Sequence, residues 1–291
     1  MIYYFKALRP WQWLKNTLIF IPYILGKESY GIDVLEVILI FMIFSLFVSS
    51  TYIFNDIKDI ELDKLHPSKK YRPITSGIID TKNANYFSRL ILTSTFLVSY
   101  YVNPTTFFYF LIYALLTFLY TNKAKYIFLL DTLFISLMFT IRVAIGGVVA
   151  KVNPSVYLLC TIFLISCILS TSKKISILNT VGIDNKSNYY QLLKEQNQKI
   201  NFKILYILFC ISSIGTLLVW FLNLSYEGSS ILKKVFLLIS LFGVAVFLNY
   251  VLTFSMSGNL EDFSKEIFKN KILLTLSSLI VISFYLGYFL F

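Results

Sequence analysis

Tyr52-Ile-Phe-Asn-Asp-Ile-Lys-Asp-Ile-Glu-Leu-Asp-Lys-Leu-His-Pro-Ser-Lys-Lys-Tyr-Arg-Pro-Ile-Thr-Ser-Gly77 follows directly on an apolar run and carries Asn55, Asp56, Asp59 and Asp63. If the helix continues through this stretch, spacings of three, four, seven and eight residues set those groups along one face. A row of hard oxygen ligands suits Mg²⁺, which binds through a few carboxylates, retained waters and substrate phosphates. Lys58 lies inside the row, and Lys64, Lys69, Lys70 and Arg72 follow it as donors for phosphate oxygens. The competing reading is a solvated helix end of mixed charge. Against it, the acids stand near a helix C-terminus, where the macrodipole disfavours negative charge, and acids one turn apart repel each other. The stretch therefore predicts a metal-bridged diphosphate site at a membrane boundary.

Composition places that site in a bilayer. The chain has 291 residues, 57% of them hydrophobic, 18% aromatic and only 14% charged, with a mean hydropathy of +0.72. A soluble domain carries about 25% charged residues. Apolar runs recur that are long enough to cross a hydrocarbon core of about 30 Å, so the expected class is all-α and polytopic, a single transmembrane catalytic domain over 1–291. Arg9-Pro10-Trp11 interrupts the first apolar stretch, and no small-residue cleavage site follows, so a cleaved signal is not expected. Nine spans are read, near 12–28, 34–56, 84–102, 105–121, 127–149, 155–176, 203–224, 232–256 and 271–290.

A net charge of +11 raises the question of nucleic acid. The distribution of the charge answers it. Apart from Lys27, Arg142, Lys151, Lys233 and Lys234, the 26 Lys and Arg fall in the N-terminal segment, in alternate connections, or at the edges of adjoining spans. By the positive-inside rule those connections are cytoplasmic. The N-terminus is then cytoplasmic, the C-terminus lies outside, and no nucleic-acid partner is needed. The three cysteines, Cys160, Cys167 and Cys210, lie in apolar runs and read as packing. His66 is the only histidine, so it makes no metal site alone.

Other polar residues stand where a bilayer makes them costly. Leu8 to Asn16 combines two tryptophans with Arg9 and Lys15; it reads either as an interfacial anchor or as a segment pointing Lys15 and Asn16 into a cytoplasmic pocket. Tyr120 and Lys125 sit in the short fourth connection, and Asp131 falls about one turn into the next apolar run. Arg142 lies roughly 16 Å deeper at helical rise, too far to pair with Asp131 on the same helix. Intramembrane charges usually face a polar cavity or a partner. Gly146-Gly147 read as close helix packing. Lys173 and Lys174 end the sixth span, and the polar stretch 179–203 reads as a loop with a helical portion.

Taken together, these residues resemble the UbiA superfamily of intramembrane transferases. Its Asn-Asp-x-x-Asp-x-x-x-Asp signature is similar to Asn55-Asp56-Ile-Lys-Asp59-Ile-Glu-Leu-Asp63. Within it, the branch that transfers phosphoribose to polyprenyl phosphates is the nearest likeness. Arg9-Pro10-x-Gln12-Trp13-x-Lys15-Asn16 and His66-Pro67-x-Lys69-x-x-Arg72-Pro73-Ile74-x-x-Gly77 carry that likeness. Tyr120 with Lys125 and Asp131, Arg142-x-x-x-Gly146-Gly147, and Lys173-Lys174 continue it. The likeness implies a nine-helix bundle with a cytoplasmic-side site. The second aspartate-rich motif usual in prenyl-transferring members is reduced here to Asp184. Ile177 and Asn270 stand where the phosphoribosyl branch carries acids.

The resemblance implies a mechanism. Asn55, Asp56, Asp59 and Asp63 would hold Mg²⁺ on the diphosphate of phosphoribosyl diphosphate, with Lys69, Arg72 and Lys58 neutralising the leaving group. Lys15, Asn16, Tyr120, Lys125, Asp131, Arg142, Lys173 and Lys174 would position the ribose 5-phosphate and the polyprenyl phosphate acceptor. The alternative in the same superfamily is transfer of a prenyl group from a polyprenyl diphosphate to an aromatic or other acceptor. A transporter without chemistry is the rival from another class, and no internal repeat supports it.

Overall fold

Asp80, Asn103, Ser155, Ser230 and Asn270 each stand immediately before a long apolar stretch. Each side chain accepts hydrogen bonds from backbone N–H groups of the first turn that follows. These caps satisfy donors that a helix leaves open at its N-terminus, so they set where the long helices begin. Asn103 is followed by Pro104 at the first helical position, where a missing N–H costs nothing.

The computed structural model describes residues 2–26, 34–64, 69–127, 129–180, 188–224, 230–260 and 263–290. The helices in chain order are α1 Ile2–Ala7, a 3₁₀ helix Pro10–Phe20, α2 Ile21–Leu25, α3 Val34–Lys58, α4 Ile60–Lys64, α5 Thr81–Val102, α6 Pro104–Asn122, α7 Leu130–Val149, α8 Val156–Asn179, α9 Asn188–Lys199, α10 Phe202–Leu224, α11 Ile231–Met256, α12 Phe263–Lys269 and α13 Lys271–Tyr285. All regular structure among the described residues is helical. Among the described residues, seven helices are long and apolar enough to cross a membrane: α3, α6, α7, α8, α10, α11 and α13 with its continuation to Phe289. Large apolar side chains such as Leu97, Phe118, Ile211 and Phe242 stand exposed on the helices, as an integral membrane protein requires of surfaces that meet lipid.

The other two expected spans differ in form. The third, α5, has 22 residues but carries Lys82, Asn83, Asn85 and Arg89 in its first half. The first is not a continuous α-helix. It runs as 3₁₀ from Pro10 to Phe20 and turns α only from Ile21 to Leu25. Pro22 has no N–H to return to Leu18, and Ile21 N–H bonds the Leu18 carbonyl instead, closing a three-residue turn.

The chain divides into two compact units, Met1–Pro154 and Ser155–Phe291. In the first, α3 packs on α5, α6 packs on α5 and α7, and the 3₁₀ helix lies against α3 and α7. Its core joins Ile19, Val37, Ile40, Phe44, Phe47, Phe110, Tyr113 and Ile145, all buried. The rings of Phe44, Phe47, Phe110 and Tyr113 meet at centroid separations of 4.9 to 5.9 Å. Helices in lipid gain little from the hydrophobic effect, so such close packing and buried hydrogen bonds hold them together. In the second unit, α8 packs on α10 and α11, and α11 packs on α13. Asn270 caps α13 and hydrogen-bonds the Tyr250 hydroxyl, which gives an asparagine there a structural use. None of the three cysteines is in a disulfide; Cys167 is buried and Cys160 exposed.

Candidate active site

The acid row keeps its helical spacing across a break at Asp59. Helix α3 ends at Lys58 and α4 begins at Ile60. Even so, Asp59 N–H bonds the Asn55 carbonyl at 2.9 Å, and Asp63 N–H bonds the Asp59 carbonyl at 2.8 Å. Asp56 and Asp63 are buried, each 3% exposed. Both carboxylates reach one guanidinium nitrogen: Arg72 Nη1 donates to Asp56 Oδ1 at 2.9 Å and to Asp63 Oδ2. Arg9 Nη2 also donates to Asp56 Oδ1, and Lys69 pairs with Asp63 at 3.7 Å.

Asp59 and Asn55 turn along the neighbouring edge. Lys125 Nζ donates to Asp59 Oδ1 at 2.7 Å, and the Thr121 hydroxyl donates to Asn55 Oδ1 at 2.6 Å. Lys58 donates to Asn122 Oδ1 and, at 3.5 Å, to the Thr121 carbonyl. Burial by itself would lower the Lys125 pKa, but the hydrogen bonds and charges of Asp59 and Tyr126 outweigh it and leave the value raised. Lys125 therefore stays an ammonium through the neutral range.

The carboxylates fit a divalent ion in one specific respect. Asp56 and Asp63 present oxygens to a single cationic nitrogen, which is what a bridging cation asks of two acids. Among the described residues, no three His, Cys, Asp or Glu side chains gather as a ready metal cage. Two carboxylates plus water and substrate oxygens match the habit of Mg²⁺, which is seldom held by protein ligands alone.

A second polar cluster lies deeper. Arg142, 2% exposed, donates from Nε to Asn16 Oδ1 at 2.8 Å, from Nη2 to the Tyr113 hydroxyl at 2.9 Å, and from Nη1 to the Met138 carbonyl. Asn16 in turn donates to Ser45 Oγ at 3.0 Å. The rings of Phe44, Tyr113 and Phe139 surround the guanidinium at 4.9 to 5.7 Å, a setting that suits a desolvated cation. Replacing Tyr113 by Phe removes one acceptor and strands Nη2. We expect the variant to lose about 1.5–3 kcal/mol, the worth of a hydrogen bond to a charged group, read as a lower thermal midpoint in detergent.

The remaining expected site residues are placed as follows. Asp131 is buried in the first turn of α7, where the helix dipole favours an acid. Tyr120 is half-buried near the end of α6, and Lys15 is half-buried on the 3₁₀ helix. Lys173 and Lys174 belong to the second unit, on α8; Lys174 is buried, with its ammonium 5.4 Å from the Phe202 ring. His66, Pro67, Lys27 and Asp184 lie outside the described residues. The structure thus brings Asp56, Asp63, Lys69 and Arg72 together, joins Asp59 to Lys125, and joins Asn16 to Arg142. Sequence reasoning did not assign Arg9 to Asp56, Tyr113 to Arg142 or Ser45 to Asn16. The one available signal was that a row of buried acids needs counter-ions nearby.

Comparison with known proteins follows the same lines. The chain is 29% identical over 174 residues to a decaprenyl-phosphate phosphoribosyltransferase of Mycolicibacterium smegmatis, covering 58% of this chain and 55% of the relative. It is 27% identical over 145 residues to a digeranylgeranylglyceryl phosphate synthase of Sulfurisphaera tokodaii, covering 50% and 51%. The chain thus spans about half the length of these curated relatives. A UbiA homolog of Archaeoglobus fulgidus, solved with GPP and Mg²⁺, superposes with a TM-score of 0.64 at 14% identity, over 98% of both chains, which establishes the shared fold. The model of the UbiA prenyltransferase family matches residues 18–272, and the chain belongs to that family.

Proposed function

We propose that the chain is a Mg²⁺-dependent transferase that moves 5-phosphoribose from phosphoribosyl diphosphate to a polyprenyl phosphate and releases diphosphate. It would work in a bacterial cell membrane, with the N-terminus and the acid cluster on the cytoplasmic side. One observation carries the reading: two buried carboxylates, Asp56 and Asp63, address one cationic point and are ringed by Arg9, Lys69 and Arg72. The relative at 29% identity supports the choice of donor.

Asp56 and Asp63, with Asp59 and Asn55 beside them, would hold Mg²⁺, which would supply charge neutralisation for the departing diphosphate. Arg9, Lys69 and Arg72 donate to oxygens that gain charge as the bond from C1 to the diphosphate breaks. Lys58 and Lys125 lie on the Asp59 side and would meet the donor's other polar groups, and Tyr120 and Asp131 would hold the ribose. A phosphate oxygen of the acceptor forms the new bond to C1, and diphosphate leaves. That oxygen is already anionic, so no histidine or cysteine base is needed. Arg142 acts through Asn16, which it holds by Nε.

Transfer of a prenyl group is the second reading, favoured by the fold shared with a homolog that binds GPP. The two are separated by offering phosphoribosyl diphosphate and a polyprenyl diphosphate to the purified protein and weighing the lipid product. The expected product is the acceptor plus phosphoribose. It disappears in excess chelator and returns with Mg²⁺. Undiminished turnover in chelator removes the metal assignment.

A further inference from the structure

Helix α5 packs on α3 and α6, both long and apolar enough to cross a membrane. Its buried residues, Ala84, Ser88, Thr95 and Ser99, stand four or seven positions apart and form the face that packs. The face turned away carries Lys82, Tyr86, Arg89, Thr93 and Leu97, each three or four positions after the last and all exposed. On this side Leu90 is 54% exposed, Leu97 63% and Tyr86 73%. Two cations thus stand on a surface otherwise suited to lipid. Among the described residues, neither Lys82 nor Arg89 has an ion-pair partner. Helix α5 contains no acid, and the carboxylate of Asp80 just before it accepts from the Lys82 and Asn83 N–H groups.

The depth of Arg89 is fixed by its neighbour. Ser88 Oγ donates to the Ser50 carbonyl of α3 at 2.8 Å, and Ser50 comes six residues before Asp56. Arg89 therefore stands about 9 Å from the level of Asp56, toward the apolar part of both helices. A cation there is costly unless it finds an anion or its long stem carries the charge to the headgroups. Helical side chains lean toward the N-terminus, which in α5 is the end nearer the acid row. On a lipid-facing surface the anions in reach are lipid phosphates, and a guanidinium grips these with two parallel donors. Tyr86, one turn nearer the water, is a residue type that settles at headgroup level.

We infer that Lys82, Tyr86 and Arg89 form a binding site for the headgroup of an anionic phospholipid, in the leaflet on the acid row's side of the membrane. Arg89 grips the phosphate. Lys82 lies two turns further toward the water, where a zwitterionic headgroup would place its own cation, so the pair of bases selects a headgroup with net negative charge. The site lies on the outer face of α5, apart from the acid cluster, and holds whichever donor the enzyme uses.

The test is native mass spectrometry of the full chain in detergent, titrated separately with phosphatidylglycerol, phosphatidylcholine and inorganic phosphate. The wild type is expected to bind phosphatidylglycerol more tightly than phosphatidylcholine. Arg89→Leu should weaken phosphatidylglycerol about tenfold, the loss of a charged hydrogen-bonding group, and Arg89→Lys, which keeps the charge without the fork, should fall between. The leucine variant sets an apolar side chain against lipid, and its thermal midpoint before lipid is added checks that it folds. Lys82→Gln is the second variant and should narrow the preference for phosphatidylglycerol over phosphatidylcholine. Lys123→Gln, at an exposed cation closing α6, should leave phosphatidylglycerol within about twofold of the wild type. Full retention of phosphatidylglycerol by Arg89→Leu overturns the proposal, as does a wild type without preference. An equal loss in Lys123→Gln also overturns it, because diffuse surface charge would then suffice. So does displacement of the lipid by inorganic phosphate, which would make the site one for a soluble anion.

Discussion

Asp56→Asn is expected to cut turnover by about a thousandfold, because it removes one of the two carboxylates proposed to hold Mg²⁺, a contribution to the transition state of several kcal/mol at about 1.4 kcal/mol per decade. The residue is 3% exposed and accepts from both Arg9 and Arg72. The amide keeps the shape but loses the charge, and it cannot accept through both of its ends. Some stability goes with it, since two cations lose an anion, although Arg72 keeps Asp63. Turnover is therefore measured per folded molecule, with the thermal midpoint recorded alongside. Glu61→Gln is the control. Glu61 lies on α4 beside Asp63, in an exposed pair with Lys64, and exposed pairs contribute little. Wild-type turnover in Asp56→Asn with Glu61→Gln equally silent would show that the acid row is no more than a structural ion-pair cluster. Asp63→Asn should match Asp56→Asn, and the double variant should lose little more, because residues that act on one centre are not additive.

Local rules made the acid row legible. Helical spacing depends on rise and turn alone, so Asn55, Asp56, Asp59 and Asp63 could be placed on one face from their positions, and the one-residue break at Asp59 leaves that placement intact. The long apolar helices were equally plain from composition. The partners of the acids were not. Arg9 and Asp56 are 47 residues apart and Lys125 and Asp59 are 66 apart, and nothing local joins them. The division of the row was hidden for the same reason: Asp56 and Asp63 share Arg72, whereas Asp59 goes to Lys125. The 3₁₀ form of the first span was also missed. Its apolar pattern is that of any spanning segment, and only Pro22 hinted that the α-helical ladder would be interrupted. Arg142 was recognised as unusual because a bilayer makes any charge costly, but its bond to Asn16 spans 126 residues and needed the fold.

Gly146→Ala is expected to disable the protein through the backbone. A Cβ at this position would stand 2.1 Å from the Ile19 carbonyl oxygen and 2.8 Å from its carbon. Neither is the tip of a side chain that could swing aside. The 3₁₀ helix itself would have to retreat from α7. Overpacking a core costs about 1–3 kcal/mol where side chains can adjust, so a clash with backbone belongs at the upper end or beyond. The same retreat would lengthen the bond from Arg142 to Asn16, three residues before Ile19, and would move Arg9 and Lys15 with the helix that carries them. The expected result is a markedly lower thermal midpoint, with turnover falling further than the loss of folded protein explains. Gly215→Ala supplies the contrast. It lies inside α10 with nothing within 4 Å of the added carbon, and alanine is the better helix former by about 0.5–1 kcal/mol. That variant should be as active as the wild type and no less stable. If Gly146→Ala behaves like Gly215→Ala, then the close approach of the first span to α7 does not set the geometry of the site.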